Sequence, residues 1–360
     1  MPIFKGPNFT TMYKIWIFLF ASCVLISACS NDVDINDDWQ EQAVIYALLD
    51  PTDSIQEVRV QKTFLGQGDV YEMSTINDSI YYTDSIQVSI QTLEDGNPTG
   101  TEIMLVPQSI SKVSGDFATD DHIIYVTENL DGVLDRDFAY RVKVKNIDTG
   151  YEAYGDTYLV GEFYITKPQS PTINFMTTVK MEMEWKHAEY SGVYQMIMRF
   201  HYEEDGVMTY LDMPFNQREV GTDYNNPGVT EQFEINRFYS HLEKNIEPSF
   251  TKKRIAKGVE LFLYSGGDNY TLYTNLSESS GSLVEERPEF TNVMNGAGLV
   301  SSRAMMTSAN IFANNPVQDY YLLANAAIDS LVCGYRTADL HFGKIEVLPS
   351  NAIDTIYCFN

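Results

Sequence analysis

Phe138-Ala139-Tyr140-Arg141-Val142-Lys143-Val144-Lys145, followed by Asn146-Ile147-Asp148-Thr149-Gly150 and a returning run from Tyr151 to Val160, decides the fold class. Phe138, Tyr140, Val142 and Val144 fall on one face and Arg141, Lys143 and Lys145 on the other, the period of two that a half-buried strand imposes. The Asn-x-Asp-x-Gly segment between the two runs turns the chain, so the stretch predicts paired strands. Upstream, Val58 and Val60 alternate with Arg59 and Gln61, and Ile86, Val88 and Ile90 with Gln87, Ser89 and Gln91. Ala43 to Leu49 is an apolar run that ends at Asp50-Pro51, Glu94 to Pro98 is a turn cluster, and Ile123 to Val126 is a short strand. Short strands with turn signals between them over about 120 residues predict a β-sandwich.

The segment from Asp135 to Val144 resembles the tyrosine-bearing strand of immunoglobulin-like and fibronectin type III domains, in which the hydroxyl bonds main chain at a corner. The resemblance makes Tyr140 structural and residues 43–167 an immunoglobulin-like sandwich domain. Pro168-Gln169-Ser170-Pro171 is stiff and incompatible with a strand, which sets the expected boundary there. Residues 172–360 read as a second β-rich domain, so the chain as a whole is expected to be mainly β. Met181, Met183 and Trp185, then Tyr194, Met196, Met198, Phe200 and Tyr202, alternate with polar residues as core strands, with Ser191-Gly192 between them. Val259, Leu261 and Leu263 suggest another strand.

Two helices interrupt the β pattern. Ile235, Phe238, Tyr239, Leu242 and Ile246 recur at helical spacing, which predicts a helix near 231–246 capped by Thr230 and stopped by Pro248. Val317, Tyr320, Tyr321, Ala324 and Ile328 predict a second near 316–331, with Asn315 as cap and Pro316 in the first turn. Both apolar faces are expected to pack on the sheet.

The amino-terminal segment has a different logic. Lys14, the apolar body Trp16 to Leu25, and the small residues Ser27 and Ala28 follow the order of a secretory signal. The apolar run is about a dozen residues, short of the roughly 20 that span a bilayer. Ile26-Ser27-Ala28-Cys29 resembles a bacterial lipobox, which implies cleavage after residue 28 and lipid on the Cys29 sulfur. Several acyl chains give stable anchoring, since each buried methylene adds about 0.8 kcal/mol. Residues 29–42 form an acidic tether, and Asp32, Asp34, Asp37 and Asp38 within it resemble the surface-export signal of Bacteroidota lipoproteins. The expected location is the outer membrane, facing the cell surface; a periplasm-facing anchor is the alternative.

Removing residues 1–28 leaves 332 residues, and since Lys5 and Lys14 go with them the net charge of −26 becomes −28. So acidic a surface repels nucleic acid, which is excluded as a partner. Cys23 leaves with the signal and Cys29 is taken by lipid, so Cys333 and Cys358 remain in an oxidising compartment. A disulfide between them would close a loop of about 25 residues and add about 3 kcal/mol; a redox pair would more often show C-x-x-C spacing.

Catalytic signatures are missing from the sequence. His122, His187, His201, His241 and His341 show no ligand spacing, so no metal is expected. No nucleophile elbow is present, and Tyr264-Ser265-Gly266-Gly267 lacks its frame. Asp131, Asp135 and Asp137 read as a solvated acidic turn, since the calcium-loop pattern is absent. Asp followed by Ser or Thr and an aliphatic, at Ser54, Ser79, Ser85, Ser330 and Thr355, resembles the O-glycosylation acceptor of Bacteroidota exported proteins; Asp329-Ser330-Leu331 lies in a proposed helix and is the weakest match. A turn aspartate leading into a strand explains each site equally well.

With Asn292-Val293-Met294-Asn295-Gly296-Ala297-Gly298-Leu299 added to the lipobox and to Ala43–Leu49 with its Val58/Val60 partner, the chain resembles a family of Bacteroidota outer-membrane lipoproteins of unknown function. Genes of that family often lie beside TonB-dependent, SusC-like transporters. The family often has an aromatic after the second glycine, where this chain has Leu299 and Val300. Gly296 and Gly298 are expected to allow backbone angles or close approaches that a side chain forbids. The resemblance implies an accessory protein that docks on a transporter or binds a glycan or peptide, without catalytic residues or cofactor. A surface hydrolase using paired carboxylates, and a structural or adhesive subunit, are the competing expectations.

Overall fold

The computed structural model describes residues 40–63, 76, 80–82, 85–111, 122–128, 133–175, 180–221, 228–278, 290–309, 320–347 and 353–358. The signal segment, Cys29, the acidic run to Asp38, Ser79 and Asp131 lie outside them.

The protein is mainly β, and its large sheets are consistent with a β-sandwich-like class. Strands β1 (Ala43–Leu49), β2 (Glu57–Lys62), β3 (Ile86–Glu94), β4 (Asn97–Ile110), β5 (His122–Thr127), β6 (Ala139–Asn146) and β7 (Glu152–Tyr158) pair in the order β1-β2-β5-β4-β3-β6-β7. Alternate residues enter a common core: Ile45, Val58, Val60, Val88, Ile90, Val142 and Val144 are all essentially buried. Asp95-Gly96 closes the β3–β4 hairpin with positive φ at both residues, the conformation a two-residue turn needs to match strand twist. Tyr140 sits at the expected corner: its hydroxyl accepts from Asp135 N at 2.8 Å and donates to Asp135 O at 3.1 Å.

The second half adds β8 (Ile165–Lys167), β9 (Thr172–Ile173), β10 (Lys180–Lys186), β11 (Ser191–Glu204), β12 (Val207–Pro214), β13 (Arg218–Glu219), β14 (Gly228–Glu234), helix α1 (Ile235–Asn245), β15 (Arg254–Gly267) and helix α2 (Asp268–Glu278). It is completed by β16 (Val293–Met294), β17 (Gly296–Thr307), β18 (Leu322–Leu323), helix α3 (Asn325–Cys333), β19 (Phe342–Val347) and β20 (Ile353–Tyr357). Strands β12, β11, β15 and β17 are neighbours in that order, while β14, β10 and β8 form a separate sheet. The two alternating runs therefore become core strands of different sheets: β10 brings Met183 and Trp185, and β11 brings Tyr194, Met196, Met198 and Phe200, into one buried cluster. Ser191 and Gly192 lie within β11 itself rather than between the two strands.

Strand β17 joins the halves. Gly296 to Ser302 pair in parallel with Ala43 to Leu49, and Arg303 to Thr307 pair antiparallel with Gly266 to Phe262. The first core accordingly includes Val293 and Val300, and residues 41–360 form one compact unit.

Two helix boundaries differ from expectation. The segment before Ile235 is strand β14, because Val229 and Phe233 alternate with polar residues and pair across to Trp185 and Met181. Thr230 is thus a strand residue, and Glu234 precedes the helix without a side-chain cap. In the second case Tyr321 bridges Val259 and Leu322–Leu323 pair with Thr172–Ile173, so α3 begins at Asn325 and runs to Cys333. Asn315 and Pro316 lie outside the described residues. Helix α2 has no counterpart in the sequence reading.

Candidate ligand-binding groove

Where β17 passes from β1 to β15, the outward face of the sheet carries a groove of about 480 Å³. Its floor follows from the registers. Gln195 on β11, Tyr264 on β15 and Met305 on β17 are direct cross-strand neighbours, and Arg303 opposes Gly266 two residues along. Directly paired residues share a face, so Gln195, Tyr264, Met305 and Arg303 point the same way. The opposite face carries Tyr194, Leu263 and Ala304, all buried in the second core.

Helix α2 makes one wall. It follows β15 directly, and Tyr270 N donates to Ser301 Oγ at 3.1 Å while Asn269 Nδ2 donates to Val300 O at 3.4 Å. Gly266 leaves room for this wall, since a Cβ there would stand 2.6 Å from Tyr270 Cδ1.

The Asp50–Asp53 loop makes another wall, and the buried Gln56 holds it. Gln56 Oε1 accepts from Asp50 N at 2.8 Å and Nε2 donates to Asp50 O at 2.8 Å and Asp53 O at 3.1 Å. Asp50 Oδ1 accepts from Thr52 N at 2.9 Å and from the Thr52 hydroxyl. Asp50 Oδ2 faces Arg303 Nε at 3.4 Å, with 11% of the Asp50 side chain and 56% of the Arg303 side chain exposed. Gln217 completes the lining. Tyr194 lies beneath; burial pushes its hydroxyl above the ordinary phenol range, and hydrogen bonding from Ser191, Ala188 and Ser265 opposes that rise.

The sequence-derived candidates fall elsewhere or serve the fold. Asp53 Oδ1 accepts from Ile55 N at 3.0 Å, so Asp53-Ser54-Ile55 is a turn with a half-buried Ser54. Ser85 Oγ donates to Asp148 Oδ2 at 2.5 Å, and Thr355 lies in β20 with its N–H on Asp354 Oδ1 at 2.8 Å. Ser330 is inside α3 and returns its hydroxyl to Ala326 O at 2.9 Å. Cys333 and Cys358 are joined as a disulfide, with Cα atoms 5.1 Å apart, tying β20 to α3. Asp135 Oδ1 accepts from Asp137 N at 3.0 Å, and no group of three or more metal-ligating side chains occurs among the described residues.

The five histidines are dispersed. His201 Nε2 lies 3.1 Å from Glu260 Oε2, His241 Nε2 lies 2.9 Å from Asp212 O, and His341 Nδ1 lies 2.6 Å from Lys252 O. His187 Nδ1 lies 3.2 Å from Tyr194 Oη, and His122 Nδ1 lies 2.7 Å from Tyr81 Oη.

The Asn-x-x-Asn-Gly-x-Gly stretch is a clasp. Asn292 Oδ1 accepts from Val300 N at 2.9 Å and its Nδ2 donates to Val300 O at 2.6 Å, as a neighbouring strand would. Asn295 takes positive φ, its carbonyl accepts from the Tyr151 hydroxyl, and that hydroxyl accepts from Ala43 N at 2.8 Å. Gly298 has φ +111°, and a Cβ there would lie 2.1 Å from Ile45 O. The motif thereby fixes the start of β17, and so the position of Arg303 and Met305. Comparison with protein-family models and with curated proteins finds no match.

Proposed function

We propose that this chain is a non-catalytic accessory lipoprotein of the outer membrane, anchored by lipid on Cys29. It captures a ligand for, or docks on, a TonB-dependent transporter in nutrient uptake. The anchor and the partner rest on the sequence resemblance. The observation that carries the binding role is the groove, walled by helix α2 and the Asp50–Asp53 loop, whose floor presents Tyr264, Met305, Gln195 and Arg303. The acids that line it hold the loop: Asp50 is engaged by Thr52 and faces Arg303, and Asp53 caps its own turn. That favours binding over hydrolysis by paired carboxylates. The test is purification of the full chain in mild detergent, with labelling by a clickable palmitate analogue. Label lost in Cys29→Ser, together with either a co-purifying transporter or a ligand bound on glycan or peptide arrays, is the expected result. An unlabelled protein that binds neither overturns the reading.

One observation favours a structural or adhesive role instead. Among the described residues β12 pairs only with β11, and Val207, Met208 and Tyr210 are exposed along it. Cell-cell or substratum adhesion lost on Met208→Lys, with ligand binding intact, would support that alternative.

A further inference from the structure

We infer that the groove takes a neutral saccharide; this deepens the ligand-binding reading above and rests on it. The first argument is what the floor cannot offer. Strand β11 is paired with β15 on one side and with β12 and β13 on the other, and β15 lies between β11 and β17; at the floor, residues 303–307 of β17, past the end of β1, have a strand partner on one side alone among the described residues. An extended peptide is ordinarily captured by adding a strand to a free edge, where main-chain hydrogen bonds supply the affinity. The groove lies on the face of these strands, so recognition falls to side chains.

Those side chains suit hydroxyl groups. Gln195 and Gln217 each bring an amide that both donates and accepts, and the Arg303 guanidinium stands beside the Asp50 carboxylate at 3.4 Å. Arg303 offsets Asp50, so the pair offers donors and an acceptor close together with little net charge. Asp53 and a chain charge of −26 disfavour a polyanion. Tyr264, 38% exposed, rises from the floor, and Tyr270 stands at the wall. Aromatic faces of this kind cover the apolar C–H face of a sugar ring while the polar groups read its hydroxyls. The volume, about 480 Å³, lies within the range of roughly 300–1,000 Å³ that small-ligand sites occupy.

The test uses the full chain in mild detergent on an array of neutral oligosaccharides, namely α- and β-linked glucose, xylose, mannose and galactose oligomers, beside a random peptide library. Titration calorimetry follows with the best binder. Binding of at least one oligosaccharide is expected, weakened about tenfold by Tyr264→Ala and about fivefold by Gln217→Ala. Tyr210→Ala, outside the groove, should leave it unchanged. Gln217 is exposed, so its variant tests the site without disturbing the core. A saccharide bound equally well by the wild type and both groove variants overturns the site. Peptides bound in a Tyr264-dependent way, with no saccharide bound, overturn the ligand class and leave the capture reading standing. Neither probe bound, with a transporter co-purifying, overturns the inference and leaves the docking reading; neither probe bound and no transporter overturns both.

Discussion

Tyr140 shows how one side chain holds a corner. Its alternating neighbours were readable from sequence because strand period and turn chemistry are local properties, and the hydroxyl lands on both polar atoms of Asp135. Tyr140→Phe keeps the ring, 4% exposed, and removes both bonds. Asp135 N then loses its acceptor, and the expected loss is about 1–3 kcal/mol in urea denaturation; a change indistinguishable from zero would contradict the corner. Tyr239 makes a second case in which burial dominates. Its hydroxyl donates to Phe175 O at 2.7 Å, and desolvation pushes its pKa up to about 12. A phenol raised in the folded state stabilises the fold fully below the unfolded value of about 10, and that contribution is lost as pH rises through the folded value. Urea midpoints should therefore fall progressively above pH about 10. Tyr239→Phe should start lower, for want of the Phe175 bond, and fall less steeply; parallel curves would remove Tyr239 from the account.

At the scale of elements, the same residues could be read correctly for period and wrongly for extent. Ile235, Phe238, Tyr239 and Leu242 do form the buried face of α1. Val229 and Phe233 belong to the preceding strand because β10 offers them a partner, and that pairing is non-local. Helix α2 was invisible because its sequence, DNYTLYTNLSE, mixes Thr with Tyr and has no clean apolar stripe; its place is set by tertiary contact with Ser301 and Val300. The groove was unreadable for the same reason. Asp50, Gln195, Tyr264 and Arg303 are far apart in sequence, and only the route of β17 brings them together. No sequence signal named the groove; the glycine-asparagine motif, whose glycines were expected to permit close approach, lies outside its lining and bears on it only by fixing the start of β17. Asn292 does the work of a missing strand for Val300, which is fully buried. Asn292→Ala should cost about 2–3 kcal/mol and speed hydrogen exchange at the Val300 amide while leaving Leu261, in the other core, protected. Equal acceleration at both would mean a global loss of stability and not release of the clasp.

On the scale of the whole molecule, the question is whether the halves on either side of Pro168–Pro171 stand alone. Composition and punctuation place a boundary there, but the chain leaves the first core earlier, after Leu159: Val160, Phe163 and Ile165 already pack in the second. Yet β17 returns to it from more than a hundred residues away, pairing seven residues with β1 and adding Val293 and Val300 to the first core. A fragment of residues 41–167 lacks that strand. It would expose one edge of β1 along its length and the apolar surface that Val300 covers, a combination that favours aggregation over folding. The expectation is that this fragment expresses as insoluble or poorly dispersed material, whereas residues 41–360 unfold in one urea transition. Intrinsic fluorescence, which includes the second-core Trp185, and hydrogen exchange at Val142 in the first core should give the same midpoint. Two separated midpoints, or a soluble 41–167 fragment with dispersed amide resonances, would show that β17 is an addition to a first domain complete without it. The groove would then be a site between two independent bodies, its floor free to shift against the Asp50 loop. Coincident midpoints would mean that the strand fixing Arg303 and Met305 is held by both cores at once, so that the groove is formed before any ligand arrives.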